Sequence, residues 1–352
     1  MSLRDRLRAQ IAESGPINVA QFMTACLHDP QDGYYATRPA LGPDGDFITA
    51  PLVSQMFGEL IGVWAAGCWE LLGRPASFRL VEMGPGDGTL MSDMLRAARH
   101  APGFLEAADV WLVETSAPLR DRQARLLGDQ VRWANRLEEV PGGAPVVLVA
   151  NELLDCLPAR QFVRTAIGWA EQVVGVDEAG ALAFGLASTP VSTLLPDAPQ
   201  GSVYEQSAAQ AALGSEVGAR IALDGGVALL IDYGRASPGF GDTLQALKRH
   251  EMVDPLETAG EADLTIHADF PAVIAAAGKQ GVETAILTQA EFLSRLGIGA
   301  RAEALVRARP DRTATIGRQL HRLLGADEMG ELFKVCCLFS PGLRPPAFEE
   351  FA

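Results

Sequence analysis

The sequence predicts an α/β protein built on a doubly wound, mostly parallel sheet. Three observations predict it. Residues 79–83 form a short apolar run, followed by Gly84, Gly86 and Gly88 and then by a helical face of Leu90, Met91, Met94, Leu95 and Ala98. Strand and helix patterns alternate from residue 79 to residue 233, as in sheets whose parallel strands are joined by helical crossovers. Residues 146–150 and 227–231 are uninterrupted apolar runs, suited to strands buried on both faces. Ligands of such folds bind beyond the carboxyl ends of the strands, which directs attention to the residues that follow each run.

In chain order, residues 3–13 read as a short helix, and a second starts at Asn18, an N-cap, with Val19, Phe22, Met23, Cys26 and Leu27 on one face. Residues 28–51 are turn-rich, a long loop of the kind that often carries function; its Tyr34, Tyr35, Asp46, Phe47 and Thr49 are candidates to cover a bound ligand, or simply to pack. A long helix follows from about Leu52, its Met56, Phe57, Leu60, Ile61, Trp64, Cys68 and Leu72 explained by core packing. After the glycine turn come a strand at 110–114, a helix near 118–127 and short strands at 131–134 and 146–150. Residues 160–186 alternate weakly, as inserted antiparallel strands would, and 187–203 read as loop. A helix over 205–223 leads into the strand at 227–231. Residues 235–269 show little regular pattern. Helices are expected near 270–277, 289–296, 299–308 and 311–324, and strands at 282–287 and 334–339. The expected division is an N-terminal helical and loop region, 1–75, covering the ligand site, and a core, 76–352, with insertions at about 160–204 and 240–330.

Composition narrows the function. The chain has 352 residues, 48% hydrophobic, enough for a substantial core. A net charge of −15 and the absence of a basic stripe disfavour nucleic acid and permit a cationic substrate. The five cysteines form no Cys-x-x-Cys pair and the five histidines no metal spacing, so no metal site is expected and the cysteines read as small core residues of a reducing compartment. No apolar run reaches membrane-spanning length and Met1–Gln10 is charged, so the expected location is the cytoplasm, with no membrane insertion. The oligomeric state stays open, a homodimer being one option.

The turn itself separates two cofactors. Dinucleotide sites favour Gly-x-Gly-x-x-Gly, with pyrophosphate at a helix N-terminus. Here Glu82 precedes three alternate glycines, Gly84, Gly86 and Gly88, which resembles motif I of the class I S-adenosyl-L-methionine (SAM) methyltransferases. SAM has no phosphate and carries a sulfonium and an ammonium, so a neighbouring acid suits it. Glu114, ending the next strand, can accept hydrogen bonds from both ribose hydroxyls; an acid there fits NAD as well, and an NAD-dependent oxidoreductase is the competing reading. Asn135 and Glu138 are candidates for the adenine edge.

Further blocks, in order along the chain, carry a more specific resemblance. They are Gly45-Asp-Phe-Ile-Thr-Ala-Pro51 with Ser54-Gln-Met-Phe-Gly-Glu59, Val81-Glu-Met-Gly-Pro-Gly-Asp-Gly-Thr-Leu90, Leu112-Val-Glu-Thr-Ser116, Asn151-Glu-Leu-Leu-Asp155, Pro158-Ala-Arg-Gln-Phe-Val163, Ile231-Asp-Tyr-Gly234, Gly241-Asp-Thr-Leu-Gln245, Gly260-Glu-Ala-Asp-Leu-Thr265 and Gly330-Glu-Leu-Phe-Lys-Val335. The chain resembles the MidA-type SAM methyltransferases, bacterial relatives of the mitochondrial protein-arginine methyltransferase of respiratory complex I assembly. The resemblance implies a class I methyltransferase fold with added N-terminal and inserted elements. It implies SAM as cofactor, with Glu82, Gly84, Gly86, Gly88, Thr89 and Glu114 holding it. It also implies a protein arginine as acceptor, on a subunit of NADH:ubiquinone oxidoreductase or a similar protein. Leu52 and Asp87 depart from the family's usual acid and arginine. A SAM-binding assembly factor without essential catalysis and a small-molecule methyltransferase are the alternatives.

Methyl transfer is an in-line displacement that depends on placing the nucleophile. An arginine acceptor has a side-chain pKa above about 12, so carboxylates must orient it and a proton must leave. Glu152, following the strand at 146–150, is the leading catalytic candidate, with Asn151 before it and Asp155 three residues on. The competing reading is that Glu152 and Asp155 only cap a following helix. Asp232 and Tyr233, ending the next strand, are further candidates for the cleft.

Overall fold

The computed structural model describes residues 1–37, 49–189, 191 and 195–350. They form two compact units that divide the chain otherwise than at residue 75. The first comprises residues 48–153, 211–236 and 270–352; the second comprises 1–47, 154–210 and 237–269. The expected insertion at 240–330 therefore ends at 269, and the long helix of residues 55–71 belongs with the sheet.

Among the described residues, the first unit contributes seven strands to its sheet: β1 (Phe78–Met83), β2 (Ala108–Val113), β3 (Arg132–Ala134), β4 (Val146–Asn151), β5 (Gly226–Arg235), β6 (Glu283–Thr288) and β7 (Phe333–Phe339). Their spatial order is β6-β7-β5-β4-β1-β2-β3. The pairs β1–β2, β1–β4, β2–β3 and β4–β5 are parallel. β7 runs antiparallel to both β5 and β6. All of β4 is buried, as is β5 through Tyr233, which is why both read as unbroken apolar runs.

The helix Gln55–Leu71 packs against Thr89–Ala98 through two glycines. A Cβ at Gly58 would lie 2.5 Å from the Asp93 Cβ, and one at Gly62 would lie 2.6 Å from the Met94 carbonyl oxygen. Glu59 of the same helix accepts from Arg301 Nε at 2.7 Å and from Arg96 Nη2 at 3.1 Å. Those bonds hold its carboxyl below the ordinary range although burial alone would raise it. The core runs from Phe57, Ile61 and Trp64 under the sheet to Val335, Cys337 and Phe339 of β7.

The second unit begins with the helices Leu3–Ser14 and Val19–His28. The second starts at Asn18 as expected. Asn18 Oδ1 accepts from Gln21 N at 2.8 Å, and Gln21 Oε1 accepts from Asn18 N at 2.9 Å, a reciprocal cap. The antiparallel strands expected over 160–186 are Arg160–Thr165, Gly168–Val176 and Leu182–Leu186. Val203–Gln206 joins them from the edge of a stretch that reads as loop. Gln245–Lys248, Glu251–Val253 and Asp263–Thr265 form a small antiparallel sheet in the region without sequence pattern; strands of three or four residues are too short for a period to show.

Candidate active site

The sheet order fixes where a ligand can sit. From β1 the chain moves outward through β2 and β3, then returns to the other side of β1 with β4 and β5. The order reverses between β1 and β4, and the crevice beyond their carboxyl ends is the binding position of doubly wound folds. Glu82 pairs with Val149 and Met83 with Ala150, so Gly84 and Asn151 leave adjacent strands side by side.

After β1, Gly84, Gly86 and Gly88 have φ of 65°, 55° and 85°, a backbone that side chains with a Cβ rarely adopt. The space around two of them is taken by protein. A Cβ at Gly84 would meet Leu153 Cδ1 at 3.0 Å, and one at Gly88 would meet Leu127 Cδ1 at 3.3 Å and Gln123 Cγ at 3.4 Å. These two glycines therefore serve the turn and its packing as well as any ligand. Asp87 Oδ1 accepts from Thr89 N at 3.0 Å and the carboxylate lies 3.6 Å from Arg122. An acid thus already stands at the first amide of the helix Thr89–Ala98, where a dinucleotide would place its pyrophosphate.

The two acids of the site are buried. Glu82 is 2% exposed and one of its oxygens, Oε2, has no hydrogen-bond partner among the described residues. Burial pushes its carboxyl well above the ordinary range, repulsion from Asp87 and Glu114 adds to this, and a hydrogen bond from the Met91 amide opposes it. Glu114 is also raised by burial, opposed by bonds from the Ser116 and Thr115 amides and the Gln123 side chain; Ser116 N donates to its Oε1 at 2.7 Å. Arg120 donates to the Glu114 carbonyl at 2.7 Å, to that of Ala134 at 2.9 Å and to Asn135 Oδ1 at 3.1 Å. Asn135 is exposed and also bound to Glu139, while Glu138 pairs with Arg136.

At the end of β4, Asn151 is buried. Its Nδ2 donates to Glu152 Oε1 at 3.1 Å, and its Oδ1 has no partner among the described residues. Glu152 has φ 51°, a left-handed conformation unusual for glutamate. Its amide donates to the Ile231 carbonyl at 2.8 Å, and its Oε1 accepts from Ala50 N at 3.0 Å, at the start of the short helix Ala50–Val53 that follows Thr49. No helix follows Glu152 or Asp155: residues 152–159 are turns leading into Arg160–Thr165. The reading in which the two acids cap a following helix is thereby excluded.

Asp232 and Tyr233 lie near the end of β5, both buried, with Tyr233 N donating to Asp232 Oδ1 at 2.8 Å. Asp155 belongs to the second unit, where it is buried and its carbonyl accepts from Ile266 N at 2.9 Å. In that unit Tyr35 donates to Asp263 Oδ1 at 2.9 Å. Its phenol is pushed well up by burial, with Asp263, Cys156 and Asp155 adding repulsion. Asp46 and Phe47 lie outside the described residues. Gln123, fully buried behind the turn, donates to the Gly86 carbonyl at 2.8 Å and is not singled out in the sequence. Its signal is a polar residue at the centre of an otherwise apolar i, i+4, i+8 row, Leu119, Gln123 and Leu127.

These residues fit SAM. Two buried acceptors, Glu82 Oε2 and Asn151 Oδ1, lack donors among the described residues and sit at adjacent strand ends. The ammonium of SAM supplies donors and its sulfonium a favourable charge, whereas an anionic pyrophosphate supplies neither. Sheet order, glycine turn and acids together define a class I SAM-dependent methyltransferase. Comparison with known proteins narrows the class. Residues 60–288 match the model of a family of S-adenosyl-L-methionine-dependent methyltransferases, Methyltransf_28. The chain is 35% identical to the zebrafish (Danio rerio) protein arginine methyltransferase NDUFAF7, mitochondrial, over 95% of this chain and 86% of that protein. It is 36% identical to the Drosophila melanogaster NDUFAF7 homolog, over 99% and 87%. A crystal structure of a COG1565 superfamily member from Burkholderia thailandensis, bound to S-adenosyl-homocysteine, aligns with TM-score 0.83 at 30% identity, covering 96% of this chain and 91% of that one. The chain belongs to the MidA-type family of SAM-dependent methyltransferases that includes the NDUFAF7 proteins.

Proposed function

We propose that the protein is a protein-arginine N-methyltransferase. The observation that carries this reading is the identity, over nearly the whole chain, to relatives named protein arginine methyltransferase. SAM when bound supplies an electrophilic methyl group. In this reading Glu82, Gly84, Gly86, Gly88, Thr89 and Glu114 hold it, Glu114 accepting from the ribose hydroxyls. Glu152 orients the acceptor guanidinium at the carboxyl edge of β4; a planar guanidinium matches a carboxylate through paired charge-assisted hydrogen bonds. Asn151, through its bond to Oε1, holds the Glu152 carboxylate in place. An acceptor on a respiratory complex I subunit, or a similar protein, is the partner this reading favours, and the cytoplasm its location.

The test is incubation of the protein with methyl-labelled SAM and lysate from a strain lacking the gene. Label on a protein, located on arginine by mass spectrometry, supports the proposal. Label confined to small molecules overturns the acceptor class and leaves the methyltransferase family standing.

A further inference from the structure

We propose that Arg120 is a positioning residue for the nucleoside end of the cofactor, a cation that clasps the carboxyl ends of β2 and β3 and so sets where Glu114 stands. The ladder between these strands closes where Glu114 N donates to the Ala134 carbonyl at 3.0 Å. Arg120, in the first turn of the helix Ala117–Leu127, takes over from there. Its Nε and Nη2 both donate to the Glu114 carbonyl, Nε at 2.7 Å. Nη2 also donates to the Ala134 carbonyl at 2.9 Å and to Asn135 Oδ1 at 3.1 Å. The main chain of the same residue completes the hold. Arg120 N donates to the Ser116 carbonyl at 3.0 Å, and Ser116 N donates to Glu114 Oε1 at 2.7 Å.

Three oxygens from two strand ends therefore converge on one guanidinium. Oxygens gathered this way repel one another unless a donor lies among them, and a guanidinium, which only donates, serves all three through a fixed fork. Glu114 is held at both ends, its carbonyl by the Arg120 side chain and its carboxylate by the Ser116 amide. The strand ladder does not itself need this clasp, which lies past its last rung. A carboxylate that meets two ribose hydroxyls together does, because it must stay within about 0.5 Å of the productive position. The same contact orients Asn135: its Oδ1 faces Arg120, and its Nδ2 faces Glu139 Oε2 at 3.2 Å.

The inference rests on assigning Glu114 to the ribose hydroxyls, and its test separates the two. S-adenosylhomocysteine is titrated calorimetrically into the full chain as wild type, R120M, R120K, E114Q and the double variants R120M/E114Q and R120K/E114Q. R120M, which keeps the apolar stem and loses every donor, is expected to weaken binding by about tenfold. R120K keeps the charge without the fork and is expected to weaken it by about fivefold. The cycle with E114Q carries the specific prediction. If Arg120 acts through Glu114, either substitution costs less than about twofold once Glu114 is already replaced. A merely structural role would lower the melting temperature and weaken binding by the same factor in both backgrounds, and that result overturns the proposal. So does binding within about twofold of wild type by R120M and R120K while E114Q is weakened. Undiminished binding by E114Q overturns the assignment beneath it and the proposal with it. Should R120M fail to fold, R120K and its double variant decide alone.

Discussion

The ends of β1 and β4 use the same uncommon backbone for opposite purposes. After β1 the residues at positive φ are glycines; after β4 the residue at φ 51° is Glu152. Glycine at Gly84 and Gly88 lets Leu153, Leu127 and Gln123 close against the turn. Glutamate at 152 accepts the strain of a left-handed conformation, on the order of 1 kcal/mol, and in return places a carboxylate at the edge where the acceptor is proposed to react. A site is thus shaped both by where side chains are excluded and by where one is kept despite its cost.

The contrast can be broken from either end. The largest effect is expected from G86V. A β-branched residue at φ 55° cannot keep the turn, and S-adenosylhomocysteine binding measured by calorimetry should be lost, with the secondary structure intact by circular dichroism. Retained binding would show that the turn tolerates a side chain and that its glycines are not needed for the cofactor.

A smaller, pH-dependent effect concerns Glu82. Its carboxyl in the folded protein is raised above the ordinary range, so the native state binds its proton more tightly than the unfolded chain does. Stability of the ligand-free protein therefore falls as pH rises from the ordinary carboxyl range through the raised value. E82Q removes that dependence. The melting temperature of E82Q minus that of wild type should grow as pH rises above the ordinary carboxyl range; a constant difference would mean that Glu82 ionises in the folded chain as it does in water. The smallest effect is expected for D87A, which removes the acceptor of the Thr89 amide at a cost of about 1 kcal/mol, read as a lower denaturant midpoint with an unchanged slope.

Much of this was legible before any coordinates. The inner parallel strands announce themselves because strands buried on both faces must be continuously apolar, and the glycine turn and Glu114 follow them directly. The antiparallel insertion of β7 between β5 and β6 was not legible, because a buried strand carries the same pattern in either direction. Gln123 escaped because its helix, Ala117–Leu127, is polar over most of its surface, and one amide in its buried row looks like another solvent-facing residue. The division into compact units escaped as well: residues 154–210 and 237–269 join 1–47 through contacts distant in sequence, which leave no local trace. The absence of a helix after Asp155 was equally hidden, since capping residues also serve turns.

The central claim is that Glu152 is kept in a strained conformation for the reaction and not for the fold. It is tested most directly by E152G and E152Q in parallel, measuring unfolding, S-adenosylhomocysteine affinity and transfer of labelled methyl groups to lysate protein. In E152G, relief of strain offsets the lost acceptor for the Ala50 amide, so stability should stay within about 1 kcal/mol of wild type. Both variants should bind S-adenosylhomocysteine as wild type does and lose transfer to protein. Transfer at the wild-type level by E152Q, or a large loss of stability in E152G with transfer preserved, would contradict the claim and make Glu152 a structural cap for Ala50–Val53.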